Sequence, residues 1–195
     1  MPSETVRILG IAGSLRRLSF NMGLLRAAED VLPPNATFTS YERLADIPPY
    51  NQDVEEQVDP GPVRDFKAHI AAADCLLIAT PEYNYSVPGV LKNAIDWASR
   101  PPSGSVLNGK PIAIMGATSG MMGTTRAQSA LRQSFVFTRS LVMVEPEVYV
   151  SRAGEKFDRD GSLKDIDTRD RLGKLVEALV LWTQRLRRSA EVIAA

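Results

Sequence analysis

The chain has one cysteine, Cys75, and one histidine, His69. A lone cysteine excludes an intrachain disulfide, and no Cys/His pattern marks a metal centre. Cys75 opens the apolar run Cys75-Leu76-Leu77-Ile78-Ala79, where a thiol reads as a small buried residue. Net charge is missing too, because Lys plus Arg and Asp plus Glu both number 23. Such a balance gives no whole-chain attraction to nucleic acid or to an acidic membrane surface. It also does little to oppose self-association. The basic residues Arg185, Arg187 and Arg188 read as a solvated helix terminus, favourable to the helix dipole, and not as a nucleic-acid site. No apolar stretch approaches the length that spans a bilayer. Met1-Pro2-Ser3-Glu4-Thr5 enters the first strand without the basic-then-apolar pattern of a signal peptide, so a cytoplasmic location is expected.

What remains is the composition of an ordinary globular protein, 44% hydrophobic and 24% charged. At 195 residues it is expected to form one domain spanning 1–195. Strand-like and helix-like segments alternate throughout, the pattern of a parallel sheet flanked by helices. Strands are expected at 5–12, 37–41, 74–79, 111–116 and 141–144, the last either ending there or resuming at 148–150. Helices are expected at 19–32, 62–73, 89–99 and 124–138, with a closing helix marked by Leu172, Leu175, Val176, Leu179, Thr183 and Leu186. Residues 44–62, rich in proline, read as loop. The strands are short apolar runs, as expected when helices cover both faces. Five such units predict an α/β, flavodoxin-like three-layer sandwich with a five-stranded parallel sheet in the order 2-1-3-4-5.

Two polar loops follow apolar strands, and in such a sheet they converge on one crevice. The first, Gly13 to Asn21, carries the hydroxyls of Ser14 and Ser19, the guanidinium of Arg16 and the carboxamide of Asn21. Placed before a helix, these groups and the free backbone N–H groups of its first turn suit a phosphate. Ser19 can equally serve as a plain N-cap. The loop has neither G-x-G-x-x-G nor the Walker pattern, which argues against a Rossmann dinucleotide site and a P-loop nucleotide hydrolase. The second loop, Pro81-Glu82-Tyr83-Asn84-Tyr85-Ser86-Val87-Pro88, is aromatic and stiffened by proline, suited to the edge of a flat heterocycle. A proline-rich turn with exposed tyrosines is the plain alternative. In the following helix Asn93, Asp96 and Trp97 read as anchors. A third turn, Gly116 to Gly123, either brings Ser119 to the same ligand or is a flexible connection.

These residues resemble the NAD(P)H-dependent FMN reductase family, in the branch of chromate, quinone and azo-dye reductases. The matching patterns are G-S-x-R-x-x-S-x-N at Gly13 to Asn21 and P-E-Y-N-x-x-x-P-G-x-L-K-N-x-x-D-W at Pro81 to Trp97. The resemblance extends to Leu44–Asn51 and to Lys156–Gly161, hence over nearly the whole chain. It implies that Ser14, Arg16, Ser19 and Asn21 hold the phosphate of FMN. Pro81, Glu82, Tyr83 and Asn84 would then contact the isoalloxazine ring, with Ser119 near the phosphate or ribityl chain. It further implies a homodimer or homotetramer and a ping-pong cycle. In that cycle NAD(P)H reduces FMN, which then reduces quinones, chromate or other metal ions, azo compounds or free flavin. Arg100, at the far end of the Gly89–Ser99 helix, is a candidate nucleotide or oxyanion contact in a neighbouring subunit, the plain reading being a surface arginine. A flavodoxin-like electron carrier and a non-catalytic FMN-binding protein are the alternatives, and NAD(P)H-driven bleaching of the flavin separates them from a reductase.

Overall fold

A computed structural model describes residues 5–194, so the expectation for Met1 to Glu4 lies outside the described residues. The strands are β1 (Val6–Ala12), β2 (Ala36–Tyr41), β3 (Cys75–Ala79), β4 (Pro111–Ala117), β5 (Leu141–Val142) and β6 (Val148–Val150). The helices are α1 (Phe20–Glu29), α2 (Gln52–Glu55), α3 (Gly61–Ala72), α4 (Gly89–Ala98), α5 (Thr125–Phe137), α6 (Ala153–Lys156) and α7 (Ile166–Ala194). The sheet runs β2-β1-β3-β4-β5, every pairing parallel, with β6 also paired to β4. This is the flavodoxin-like arrangement expected from the alternation of elements.

Successive strand residues point to opposite faces, and the two cores follow from that. Cys75, Leu77 and Ala79 pack with Leu24, Leu25, Leu172, Val176 and Leu179 of α1 and α7. Their neighbours Leu76 and Ile78 pack with Phe66, Leu91, Trp97, Leu131 and Phe135 of α3, α4 and α5. Both faces of β3 are buried, which is why it reads as a continuous apolar run.

Three of the differences from the expectation have a clear local reason. Helix α1 stops at Glu29 because Val31 and Leu32 turn back onto the carbonyls of Ala28 and Glu29 in tight three-residue turns. Pro33 disfavours helical backbone in the residue before it. The fifth strand position is split. Leu141 and Val142 pair with Pro111 and Ile112, and after Pro146, which has no N–H for a ladder, Val148 to Val150 pair with Met115 to Ala117. The stretch 44–62 contains the short helix α2, capped by the Asn51 side chain accepting the Asp53 N–H at 2.9 Å.

Charges tie the amino-terminal edge of the sheet. Arg7 grips Asp74 with a two-pronged pair, Nε to Oδ2 at 3.1 Å and Nη2 to Oδ1 at 2.9 Å, and its backbone N–H adds a bond of 2.8 Å. Arg187 of α7 reaches the same carboxylate. Burial alone would raise the Asp74 carboxyl, but these donors hold it well below the usual carboxylate range. Lys110 donates to the Ala73 carbonyl at 2.6 Å, and burial pushes its ammonium down. Burial likewise pushes the Cys75 thiol up to about 12, so it is an inert core group. Among the described residues no helix is long and apolar enough to cross a membrane.

Candidate active site

Strands β1, β3 and β4 end side by side, and the loops that leave their carboxyl ends enclose a cleft of about 340 Å³. The β1–α1 loop contributes Ser14, Arg16, Ser19, Phe20 and Asn21. The β3–α4 loop contributes Pro81, Glu82 and Tyr83, and the β4–α5 loop contributes Ala117, Thr118 and Ser119. Eight of the nine residues assigned to cofactor binding therefore line one cleft. Its volume falls in the range of small-molecule sites, about 300–1,000 Å³.

Local chemistry explains how the first loop is held. Gly13 donates its N–H to the Ala79 carbonyl at 2.9 Å. A Cβ on Gly13 would come within 2.9 Å of Leu91 Cδ2 and 3.3 Å of Pro81 Cδ, so its lack of a side chain lets the two loops touch. Ser19 caps α1, its hydroxyl accepting the Asn21 N–H at 3.1 Å. The capping reading of Ser19 is thus realised while it also lines the cleft. Asn21 is buried, and its carboxamide closes a pair of bonds on Ala117 at the end of β4. Nδ2 donates to the carbonyl at 3.0 Å, and Oδ1 accepts the N–H at 2.9 Å. Asn21 therefore fixes the start of α1 against the third loop. Arg16 is exposed, its guanidinium 5.1 Å from the centre of the Phe20 ring.

The second loop is a miniature hairpin. Tyr83 and Ser86 exchange backbone bonds of 3.1 and 2.9 Å, with Asn84 and Tyr85 between them at φ of 50° and 64°. Positive φ at both central positions is the type I′ turn; Asn tolerates it and Tyr seldom adopts it. This places Asn84 at the hairpin tip, outside the residues that line the cleft. Tyr83 is half-exposed and its hydroxyl lies 3.4 Å from Ser14 Oγ, so the phosphate-type and ring-type loops meet directly.

At the third loop, Gly116 is enclosed so tightly that a Cβ would lie 2.1 Å from Thr124 Oγ1 and 2.4 Å from the Thr80 carbonyl. Thr118 donates its N–H to Val150 and accepts from Ala153, which braces the turn against β6 and α6. Sequence reasoning missed Arg126. Its backbone N–H and guanidinium both meet Glu82, and it lies 4.1 Å over the Tyr85 ring. No pattern of spacing marks a partner 44 residues away.

Arg100 lies elsewhere, in a depression of about 290 Å³ that it lines with Tyr50, Lys92, Asp96 and Phe137. Its guanidinium stands 5.5 Å from the Tyr50 ring centre, and its Nε is 4.0 Å from Glu55. Of the expected helix anchors, Asn93 and Trp97 behave as such, while Asp96 is partly exposed and pairs with Lys92 of its own helix at 2.6 Å. Asn93 accepts the Tyr50 N–H at 2.7 Å, and both Asn93 and Trp97 donate to the Pro48 carbonyl at 2.9 Å. His69 is on α3, its Nδ1 2.8 Å from the Asp65 carbonyl.

Comparison with known proteins accords with this geometry. The family described as NADPH-dependent FMN reductase matches residues 6–155. An NAD(P)H-dependent FMN reductase of Pseudomonas aeruginosa is 47% identical over 185 residues, covering 95% of this chain and 99% of that one. A 2-hydroxy-1,4-benzoquinone reductase of a Burkholderia species is 41% identical, over 92% of this chain and 97% of the relative. Among solved structures, the flavoenzyme FerB of Paracoccus denitrificans, an NAD(P)H:(acceptor) oxidoreductase, superposes with a TM-score of 0.83. It shares 34% identity and the match covers 93% of this chain and 98% of that one.

Proposed function

This chain belongs to the NADPH-dependent FMN reductase family, and from that premise we propose that the cleft at the carboxyl ends of β1, β3 and β4 holds FMN. The chain is an FMN-dependent NAD(P)H oxidoreductase that serves small-molecule acceptors such as quinones. The observation that carries the site assignment is the meeting of a hydroxyl- and guanidinium-bearing loop with an aromatic one in a single cleft, across the Ser14–Tyr83 contact.

The donor set fits the group. At one end Ser14, Ser19, Arg16 and the first turn of α1 offer hydroxyls, a guanidinium and backbone N–H groups to a phosphate. Asn21 supports that end through its bonds to Ala117 and has one amide hydrogen left to offer. At the other end Pro81, Tyr83 and the backbone of Glu82 and Asn84 are assigned to the edge of a planar ring, and Ser119, which lines the same cleft, to the ribityl chain or phosphate. The chemistry FMN supplies when bound is acceptance of hydride from NAD(P)H and its delivery to an acceptor.

The protein's own residues bind and orient. Cys75 and His69, the side chains most suited to nucleophilic or proton-transfer work, lie outside the cleft. Tyr83 lines the cleft and is half-exposed, and donor and acceptor are assigned to the same opening in turn, a ping-pong cycle. Arg100 lies outside its own subunit's cleft, and we assign it to the nucleotide or an oxyanion in the neighbouring subunit of a homodimer or homotetramer. The single-domain chain acts in the cytoplasm, and chromate, other metal ions, azo compounds and free flavin are further acceptors.

The test is spectroscopic. Purified protein loaded with FMN is mixed without oxygen with NADPH and with NADH, then with a quinone. Rapid bleaching of the flavin, and recovery of colour on adding quinone, is the expected result. Bound flavin that neither nucleotide bleaches would make the chain a carrier or binding protein. For Arg100, Arg100→Ala is expected to slow nucleotide or chromate turnover, and unchanged kinetics remove its role.

A further inference from the structure

The carboxylate of Glu82 is engaged by a different element from its own. Oε2 accepts the backbone N–H groups of Arg126 at 3.0 Å and Ala127 at 3.2 Å, and Oε1 accepts from the Arg126 guanidinium at 3.4 Å. Only 10% of the side chain is exposed. Helix α5 needs this partner. Thr124, at its N-cap position, has φ of 70° and makes no side-chain cap. Its hydroxyl instead accepts from Gln128 Nε2 at 3.1 Å. The first N–H groups of a helix have no partner within the helix, and negative charge there is favourable to the dipole. Glu82 meets both needs from 44 and 45 positions away.

The link joins two walls of the cleft. Glu82 lies between Pro81 and Tyr83 on one wall, while α5 follows directly on the loop carrying Thr118 and Ser119. Arg126 ties the hairpin tip as well, its guanidinium over the ring of Tyr85, which is held at positive φ. Hairpin base and tip therefore both hang on the first turn of α5.

We infer that Glu82 is a positioning residue whose carboxylate locks the β3–α4 hairpin to the amino terminus of α5 and so sets the width of the flavin cleft. This deepens, and rests on, the assignment of that cleft to FMN. The carboxylate acts through helix and loop geometry, and it meets the cofactor only indirectly.

The test separates a tether from a ring ligand by using flavin-free protein. Amide hydrogen exchange of Arg126 and Ala127 is measured by NMR in wild type, Glu82→Ala and Glu82→Gln, and FMN affinity is measured by fluorescence titration. In Glu82→Ala both amides lose about tenfold in protection without any flavin present, and the FMN Kd rises about tenfold. Glu82→Gln, whose amide oxygen still accepts both N–H groups, restores most of both. Unchanged protection with a raised Kd makes Glu82 a direct ligand and overturns the inference. Lost protection with an unchanged Kd overturns it equally, because the tether would then not set the cleft. Should Glu82→Ala fail to fold, the wild type decides. Couplings across the hydrogen bonds from the Arg126 and Ala127 amide nitrogens to the Glu82 carboxylate carbon are then expected, and their absence refutes the tether. Failure of the wild type to bind FMN at all would reject the functional reading while leaving the exchange measurement to judge the tether alone.

Discussion

The two edges of this sheet are built from the same strands, and charge is placed differently at each. At the amino-terminal edge, Arg7, Asp74 and Arg187 join β1, β3 and α7 through charge. At the carboxyl-terminal edge, Asn21, Ser19, Gly13 and Gly116 fit the β1–α1 loop to its neighbours through neutral bonds and close approach, and charge enters on the far wall, where Glu82 meets Arg126. A charged clamp secures the fold but would compete for an anionic ligand. Neutral packing instead leaves Arg16 and the first turn of α1 to meet one.

Substitutions at the two edges should therefore fail differently. The largest effect is expected from Gly116→Val, whose side chain has no space between Thr124 and Thr80. Overpacking of this kind costs about 3 kcal/mol or more, and a urea melt with an FMN titration should show reduced stability together with lost binding. Asn21→Ala comes next. It leaves the buried N–H and carbonyl of Ala117 without partners, roughly 2–3 kcal/mol, again with weakened FMN affinity.

Asp74→Asn breaks the other edge and sharpens the contrast. A cost of about 1.5–3 kcal/mol follows from loss of charge-assisted bonds, with FMN affinity unchanged. Its pH signature has a definite sign. Because the folded carboxyl is held below its unfolded value of about 3.9, its stabilisation is present above that pH and is lost as pH falls through the folded value. Urea midpoints of wild type should drop below about pH 4, and those of Asp74→Asn should lack that component. Ser14→Ala has the smallest effect on the fold, within about 0.5 kcal/mol, yet it should weaken FMN binding several-fold.

The parallel sheet was legible because β1, β3 and β4 are buried on both faces and read as apolar runs. The loops that line the cleft were legible because each follows such a run and carries side chains of one chemistry. What escaped was non-local. The bonds from Asn21 to Ala117 and from Glu82 to Arg126 span 96 and 44 residues, and only the folded chain brings these partners together. Glu82 lines the cleft, but the partner of its carboxylate was hidden. The break between β5 and β6 was half-visible in Pro146. The helix α2 was masked by the prolines that surround it.

The FMN assignment stands on the β1–α1 loop reading a phosphate. The most direct test is the ratio of riboflavin to FMN dissociation constants, measured by fluorescence titration in wild type and in Arg16→Ala. The account predicts that wild type prefers FMN by a factor on the order of 100, near the ~2.7 kcal/mol of one or two charge-assisted bonds. It also predicts that the preference shrinks at least several-fold in Arg16→Ala. Equal affinity of wild type for riboflavin and FMN would contradict it.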